Sequence, residues 1–195
     1  MPLTPEQIDD LLTAGGAARV GYRLRRLTLD DAAVLVPLND AAYPAVPHTS
    51  LDDMRALVSL CDVAVGAEHD GSLVGFALTI GDHAPYESEN YRFFQDRGVS
   101  SRYVDRIVIA QHERGQGLGA LLYGVIFDAA HAEGRQEVTC EVNLDPPNPG
   151  SLAFHERLGF RSVGTQSTKG GTVTVSLLAA PVDGVPIART DGGAP

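Results

Sequence analysis

The stretch Ile107-Val-Ile-Ala-Gln-His-Glu-Arg-Gly-Gln-Gly-Leu-Gly-Ala120 constrains this chain more than any other. A short apolar strand runs into a turn holding Arg114 and the alternating glycines Gly115, Gly117 and Gly119. A helix follows at once, with Leu118, Leu121, Leu122, Val125 and Ala129 at helical spacing. Glycines at a strand-to-helix turn let backbone approach a ligand closely, and the first N–H groups of a helix lack internal partners. Such a turn binds phosphate, and a nearby guanidinium strengthens the hold. The question is which phosphate-bearing molecule it takes.

Two readings compete. Gly115-Gln-Gly117-Leu-Gly119-Ala120 satisfies a loose G-x-G-x-x-A dinucleotide fingerprint, and Glu137 or Glu141 lies near the distance of a ribose-binding acid. Against this, the glycines come five residues after the strand, across the polar spacer Ala110-Gln-His-Glu-Arg114. Too little chain follows residue 137 for the further parallel strands of a doubly wound sheet.

The second reading has independent support downstream. Asn148-Pro-Gly-Ser151-Leu-Ala-Phe-His155-Glu-Arg-Leu-Gly159-Phe160 follows a strand from Glu137 to Asn143, with Gly159 where a helix-ending glycine belongs. Arg114-Gly-Gln-Gly-Leu-Gly119 resembles motif A of the GNAT family of acyl-CoA-dependent N-acyltransferases, Arg/Gln-x-x-Gly-x-Gly/Ala. The Asn148 to Phe160 segment is similar to the family's downstream signature. The resemblance covers roughly residues 20 to 182. It implies an α/β (α+β) fold, a single domain whose central mixed, mostly antiparallel sheet is splayed at the motif A strand, with helices on both faces. Residues 1 to 19 are then an N-terminal extension, and the Gly/Pro-rich residues 183 to 195 a disordered tail.

Composition agrees with one domain. A chain of 195 residues with 44% hydrophobic content can fill a single core. No apolar run approaches the roughly 18 residues of a membrane span, and Asp9 and Asp10 spoil residues 5 to 12 as a secretory segment. The expectation is a cytoplasmic protein without a membrane partner. Cys61 and Cys140 read as reduced core residues inside separate apolar strands, and two cysteines without a Cys/His spacing pattern predict no metal site. Net charge is −10, with fourteen acids and five arginines in residues 1 to 90. Nucleic acid needs a basic stripe that this chain lacks. The acidic half would attract a cationic amine, unless it is simply a solvated surface.

Alternation and caps predict a strand from Val20 to Leu27, a helix from Thr28 to about Asn39, and a second helix capped by Ser50 and reaching Leu60. Asp62 to Ala67 and Leu73 to Ile80 read as a hairpin around Asp70-Gly71. Gly81 to Ser101 reads as a long aromatic-rich loop, Tyr103 to Ile109 as the central strand, and Phe160 to Gln166 and Thr172 to Leu178 as the last strands.

The resemblance implies acetyl-CoA as cofactor and direct transfer of its acetyl group to a primary amine in a ternary complex. Arg114 and the amides of Gly115, Gln116, Gly117, Leu118, Gly119 and Ala120 would hold the pyrophosphate. Val108 and Ile109 would present a strand N–H to the thioester carbonyl, and Asn148 and Ser151 would meet the pantetheine arm. The acceptor amine must lose a proton and the departing thiolate can need one. Asp105 is the candidate base, the family often placing an acid on that strand; a structural Asp105–Arg pair is the rival. Simple alternation puts Tyr103, Asp105, Ile107 and Ile109 on one face. His155 stands where the family usually has a tyrosine acid, and its imidazolium is a stronger acid than a thiol. A surface-facing helix histidine is the plainer alternative.

Tyr43, Tyr86, Tyr91 and Phe94 are the candidate acceptor wall; the last three can equally form a mini-core within their own loop. A small-molecule amine, a peptide or a protein amine all suit such a site, and a homodimer is compatible with the resemblance. The contrasting class is a non-catalytic CoA-binding module, which loss of the tyrosine would also fit.

Overall fold

The computed structural model describes residues 2–14 and 21–183. Seven strands form one sheet in the order β1-β2-β3-β4-β5-β7-β6. They are β1 (Tyr22–Arg26), β2 (Val63–His69), β3 (Ser72–Ile80), β4 (Ser101–Ile109), β5 (Glu137–Asp145), β6 (Arg161–Thr168) and β7 (Val173–Pro181). Every pairing is antiparallel except β4 with β5. Asp70 and Gly71 both have positive φ, the backbone a two-residue hairpin turn requires, and they join β2 to β3 as the sequence predicts.

Helices cover both faces. On one, α1 (Pro5–Ala14), α5 (Leu118–Ala132) and α6 (Pro149–Arg157) pack around Leu122, Ile126, Val138 and Phe160. On the other, α2 (Ala32–Asp40), α3 (Leu51–Leu60) and α4 (Glu89–Asp96) cover Leu35, Met54, Phe76 and Tyr103. Ile8 of α1 is buried against β-sheet and α5 residues, so residues 5–14 are packed into the fold. The residues 183 to 195 expected as a tail lie, apart from Asp183, outside the described residues. Among the described residues no helix is long and apolar enough to cross a membrane.

Three local expectations need correction. The Gly81 to Ser101 segment contains α4, whose Ser88 side chain accepts the Tyr91 N–H as an N-cap and whose Tyr91 and Phe94 turn inward. Cys61 ends α3 instead of lying in a strand, while Cys140 is a buried thiol of β5; both are free. The third correction concerns β4. Leu78 faces Arg106 while Thr79 faces Val104, which leaves Asp105 as the extra residue of a β-bulge. Asp105 and Arg106 therefore both lie on the Tyr103 and Val108 face, whereas Ile107 and Ile109 join Val104 on the α5 face. A bulge inverts alternation beyond itself, which no periodic reading anticipates.

The decisive feature is where pairing stops. Residues 101–104 of β4 pair with 137–140 of β5 and the ladder then ends, although β4 continues to Ile109 and β5 to Asp145. The two central strands diverge from that point, opening a gap in the middle of the sheet.

Candidate active site

At the far end of β4 the chain makes the glycine turn. Gly115 and Gly117 have φ of 79° and 76°, a region that L side chains rarely adopt. Gly117 is the N-cap residue of α5, so the first amides of the helix point out of an exposed loop. Gly119 serves differently: a Cβ there would come within 2.9 Å of the Phe154 ring, so its missing side chain lets α5 meet α6. The loop is pinned from beneath. Glu113 is buried, accepts the Tyr22 hydroxyl and pairs with His69 Nδ1 at 2.7 Å, tying the turn to β1 and β2. Arg114 Nε donates to the Ile109 carbonyl at 3.2 Å, which holds an exposed guanidinium over the gap.

Antiparallel alternation tells which amides face that gap. Ala110 N–H bonds to the Val74 carbonyl, so Ala110, Val108 and Arg106 form the hydrogen-bonded pairs with β3. The peptide groups of Ile107 and Ile109 then point the other way, toward β5, where no ladder remains. The gap thus has unpaired strand amides along one wall and helix N-terminal amides at its end.

Two carboxylates stand at its opening, on the first residue of each strand beyond the last pair. Asp105 is 6% exposed, with Oδ1 accepting from the Tyr86 hydroxyl and Oδ2 from Arg106 Nε at 3.0 Å. Both oxygens are thus engaged by donors. Glu141 is half-buried and accepts the Tyr103 hydroxyl at 2.7 Å. Burial, and then the neighbouring Asp105 charge, push its carboxyl up to about 7. Burial and the Asp105 charge also raise the Tyr86 phenol, so it remains a donor. Arg106 completes the group: Nη1 donates to Asn39 Oδ1 at 3.0 Å and to the Pro47 carbonyl at 3.3 Å. The loop from 41 to 49 is held over this face by those bonds and by Asn143 Nδ2 of β5, which donates to the Pro44 carbonyl at 3.1 Å.

The sequence candidates divide accordingly. Asp105 and Tyr86 meet at the cleft. Tyr43 lies on the overhanging loop, 60% exposed and stacked on His48 with ring centres 4.5 Å apart. Tyr91 and Phe94 do not reach the cleft: both are core residues, and the Tyr91 hydroxyl is spent on the Gly81 carbonyl and the Ala84 amide. Asn148 caps α6, its Oδ1 accepting the Ser151 N–H, which leaves the amide nitrogen without a partner among the described residues. His155 is buried at 3% exposure. Its Nδ1 lies 2.7 Å from the Ser151 carbonyl, which can only accept, so Nδ1 is assigned the proton and Nε2 accepts from Tyr123 at 2.7 Å. Burial lowers its pKa, so this imidazole is neutral and carries no proton beyond the one already donated.

Glu141, a carboxyl of raised pKa at the opening of the gap, is the residue that sequence reasoning missed as a site candidate. Its signal was a charged residue in mid-strand, facing opposite to Val138, Cys140 and Val142. The meaning of that charge depends on which strand lies beside it.

The acetyltransferase (GNAT) family model matches residues 32–160. Phosphinothricin N-acetyltransferase of Streptomyces viridochromogenes is 29% identical over 133 residues, covering 68% of this chain and 65% of the relative. The enzyme of the same name from Streptomyces coelicolor is 39% identical over 59 residues, 30% of this chain and 33% of that one. These matches therefore span between a third and two thirds of the relatives' lengths. The structure of yncA from Salmonella typhimurium with its cofactor acetyl-CoA superposes with a TM-score of 0.61 at 18% identity, covering 84% of this chain and 95% of that one. With a glycine turn, a splayed sheet and a family model spanning most of the domain in agreement, the chain belongs to the GNAT acetyltransferase family.

Proposed function

We propose that this protein is an N-acetyltransferase that moves an acetyl group from acetyl-CoA to the primary amine of a small molecule by direct attack in a ternary complex. The observation that carries this reading is the carboxylate pair, Asp105 and Glu141, standing where β4 and β5 part and beside unpaired strand amides. The relatives' names, phosphinothricin N-acetyltransferases, support an amine on a small molecule.

The residues present fit acetyl-CoA. Around Gly115 a Cβ would meet nothing within 4 Å, so the turn is open to a bulky anion. Arg114 and the amides from Gly115 to Ala120 would hold the pyrophosphate, and the Asn148 amide nitrogen with Ser151 would contact the pantetheine arm. When bound, acetyl-CoA supplies the activated acyl group. The Ile109 N–H, beside Val108, would then donate to the thioester oxygen, stabilising the charge that builds there during attack.

Glu141 takes the proton from the acceptor ammonium, directly or through one water. Its elevated pKa places it near neutrality, where a general base works best. Asp105 is the less suitable acceptor because Tyr86 and Arg106 occupy both its oxygens; its charge instead keeps the Glu141 proton affinity high. His155 positions α6 through Ser151 and Tyr123, and the thiolate leaves without a proton from that helix.

The absence of an acid at His155 also favours the contrasting reading, a CoA-binding module that does not turn over. Thiol release from acetyl-CoA across a panel of small amines decides between them. Turnover with at least one amine is expected; CoA-induced thermal stabilisation with no thiol release from any of them would establish the binding module instead.

A further inference from the structure

We infer that Arg106 is the anchor for a carboxylate on the acceptor, so that the acceptor is an amino acid with a free carboxylate and not a simple amine. The inference rests on the acetyltransferase reading above and adds the chemistry of the second substrate.

Arg106 is a guanidinium that the fold has immobilised without using up. Nε is held by Asp105, and Nη1 by Asn39 Oδ1 and the Pro47 carbonyl. Nη2 has no hydrogen-bond partner among the described residues, and it is not sealed from solvent, since the side chain is 11% exposed. Three fixed bonds at the other two nitrogens set the plane of the group and remove most of the entropy that ordering a long cationic side chain would cost on binding. What remains is one nitrogen with its two donors, on a guanidinium held between Asp105 of β4 and the loop from 41 to 49. A planar, pre-ordered donor of this kind suits a carboxylate.

The bulge explains why this residue is here. In a regular strand Arg106 would turn away from Asp105, toward α5. The extra residue puts both side chains on the acceptor face, next to each other. Across the gap stands Glu141. The cleft thus presents two carboxylates and one guanidinium within a small space. A simple ammonium would answer the carboxylates and leave the guanidinium donors facing nothing. A zwitterion answers both: its ammonium lies toward Glu141, and its carboxylate takes Nη2. Buried or half-buried donors left unpaired by a ligand cost affinity, so the match discriminates. Asn39 is fully buried and is fixed in turn by the Pro47 carbonyl and Asp40, which carries the ordering of Arg106 back into α2.

Matched acceptors test this directly. For several side chains, thiol release from acetyl-CoA is measured with the free amino acid, its α-amide and the amine lacking the carboxyl group. The wild-type protein is expected to favour the free acid by about 10²-fold in kcat/KM, the range for one charge-assisted contact to a fixed guanidinium. In Arg106→Met that ratio should collapse toward one, mainly through KM for the acid, while CoA affinity shows that the domain is folded. Arg106→Lys keeps the charge but loses the planar fork, and should recover only part of the preference. Equal use of amide and acid by the wild-type protein overturns the assignment, whatever the variants do. So does a preference for the acid that survives in folded Arg106→Met. Should no acceptor release thiol although CoA binds, the acetyltransferase reading itself falls, and the amino-acid inference with it.

Discussion

A carboxyl that titrates near 7 in the fold binds its proton far more tightly than it does in an unfolded chain, where a glutamate titrates near ~4.3. Between those values the folded protein holds a proton that the unfolded chain has released. Stability therefore falls as pH rises through that window and levels off above it. Glu141→Gln removes this dependence. The variant should gain stability over wild type on going from pH 4 to pH 8, by on the order of 1–2 kcal/mol after allowing for the solvent that reaches a half-buried group. Urea unfolding at the two pH values measures it; an equal difference at both would remove Glu141 as the titrating group. In the same variant kcat should drop by about 10²–10³-fold with CoA affinity unchanged, the range for a positioned base. His155 has the opposite signature. Its folded pKa is lowered, so it loses stability as pH falls below its unfolded value of ~6.5. His155→Ala removes the imidazole from between the Ser151 carbonyl and the Tyr123 hydroxyl. It should cost about 2–4 kcal/mol in thermal or urea unfolding while leaving the shape of the pH–rate profile intact. A changed profile would restore it to the proton path.

The glycine turn is where element-level logic is plainest, because its three glycines answer three different demands. Gly115 and Gly117 supply left-handed backbone, and Gly119 supplies room for Phe154. Gly117→Ala should therefore strain the N-cap of α5 and swing its first amides, weakening CoA by tenfold or more with about 1 kcal/mol lost in stability. Isothermal titration with CoA reads the first effect and thermal unfolding the second. Gly119→Ala instead pushes on an aromatic ring between two helices, so its larger effect should be on stability. Glycine spacing alone makes this element legible in the sequence. Helix α4 is harder to see, because eight residues inside a long aromatic segment read as loop. Yet Ser88 as a cap and Tyr91 and Phe94 three apart are its signals.

Across the whole molecule, one buried charge network ties the start of the sheet together. Arg102 is wholly buried. It pairs with Asp62 just before β2 at 2.6 Å and with the equally buried Glu133 at the end of α5 at 2.7 Å, and it donates to Thr79 of β3. Arg135 links Glu133 to Asp82. The network lies on the paired half of β4, below the point where β5 departs, and so clamps the strands whose separation forms the gap. Arg102→Met leaves Asp62 without its cation and Glu133 with Arg135 alone. It should cost about 3–5 kcal/mol, read as a fall in urea midpoint. A variant as stable as wild type would mean the network only fills space.

The sequence by itself determined the family, the strand–glycine turn–helix, and the order of nearly every element, because each is written in local spacing: apolar periods, caps, and glycines where backbone must turn. It also pointed to Asp105 and to Tyr86. It did not determine which face those residues occupy beyond residue 105, since one extra residue in β4 reverses alternation and is visible only against the register of β3. Nor did it separate a sealed polar side chain from one that stands at the gap. His155 and Glu141 are each one polar residue in an ordinary pattern. Only packing decides that the first is sealed against Tyr123, with both nitrogens taken, while the second stands beside another carboxylate at the edge of a gap. Proton affinity is set by burial and by charges brought from distant parts of the chain, and those distances exist only once the strands have paired and then parted.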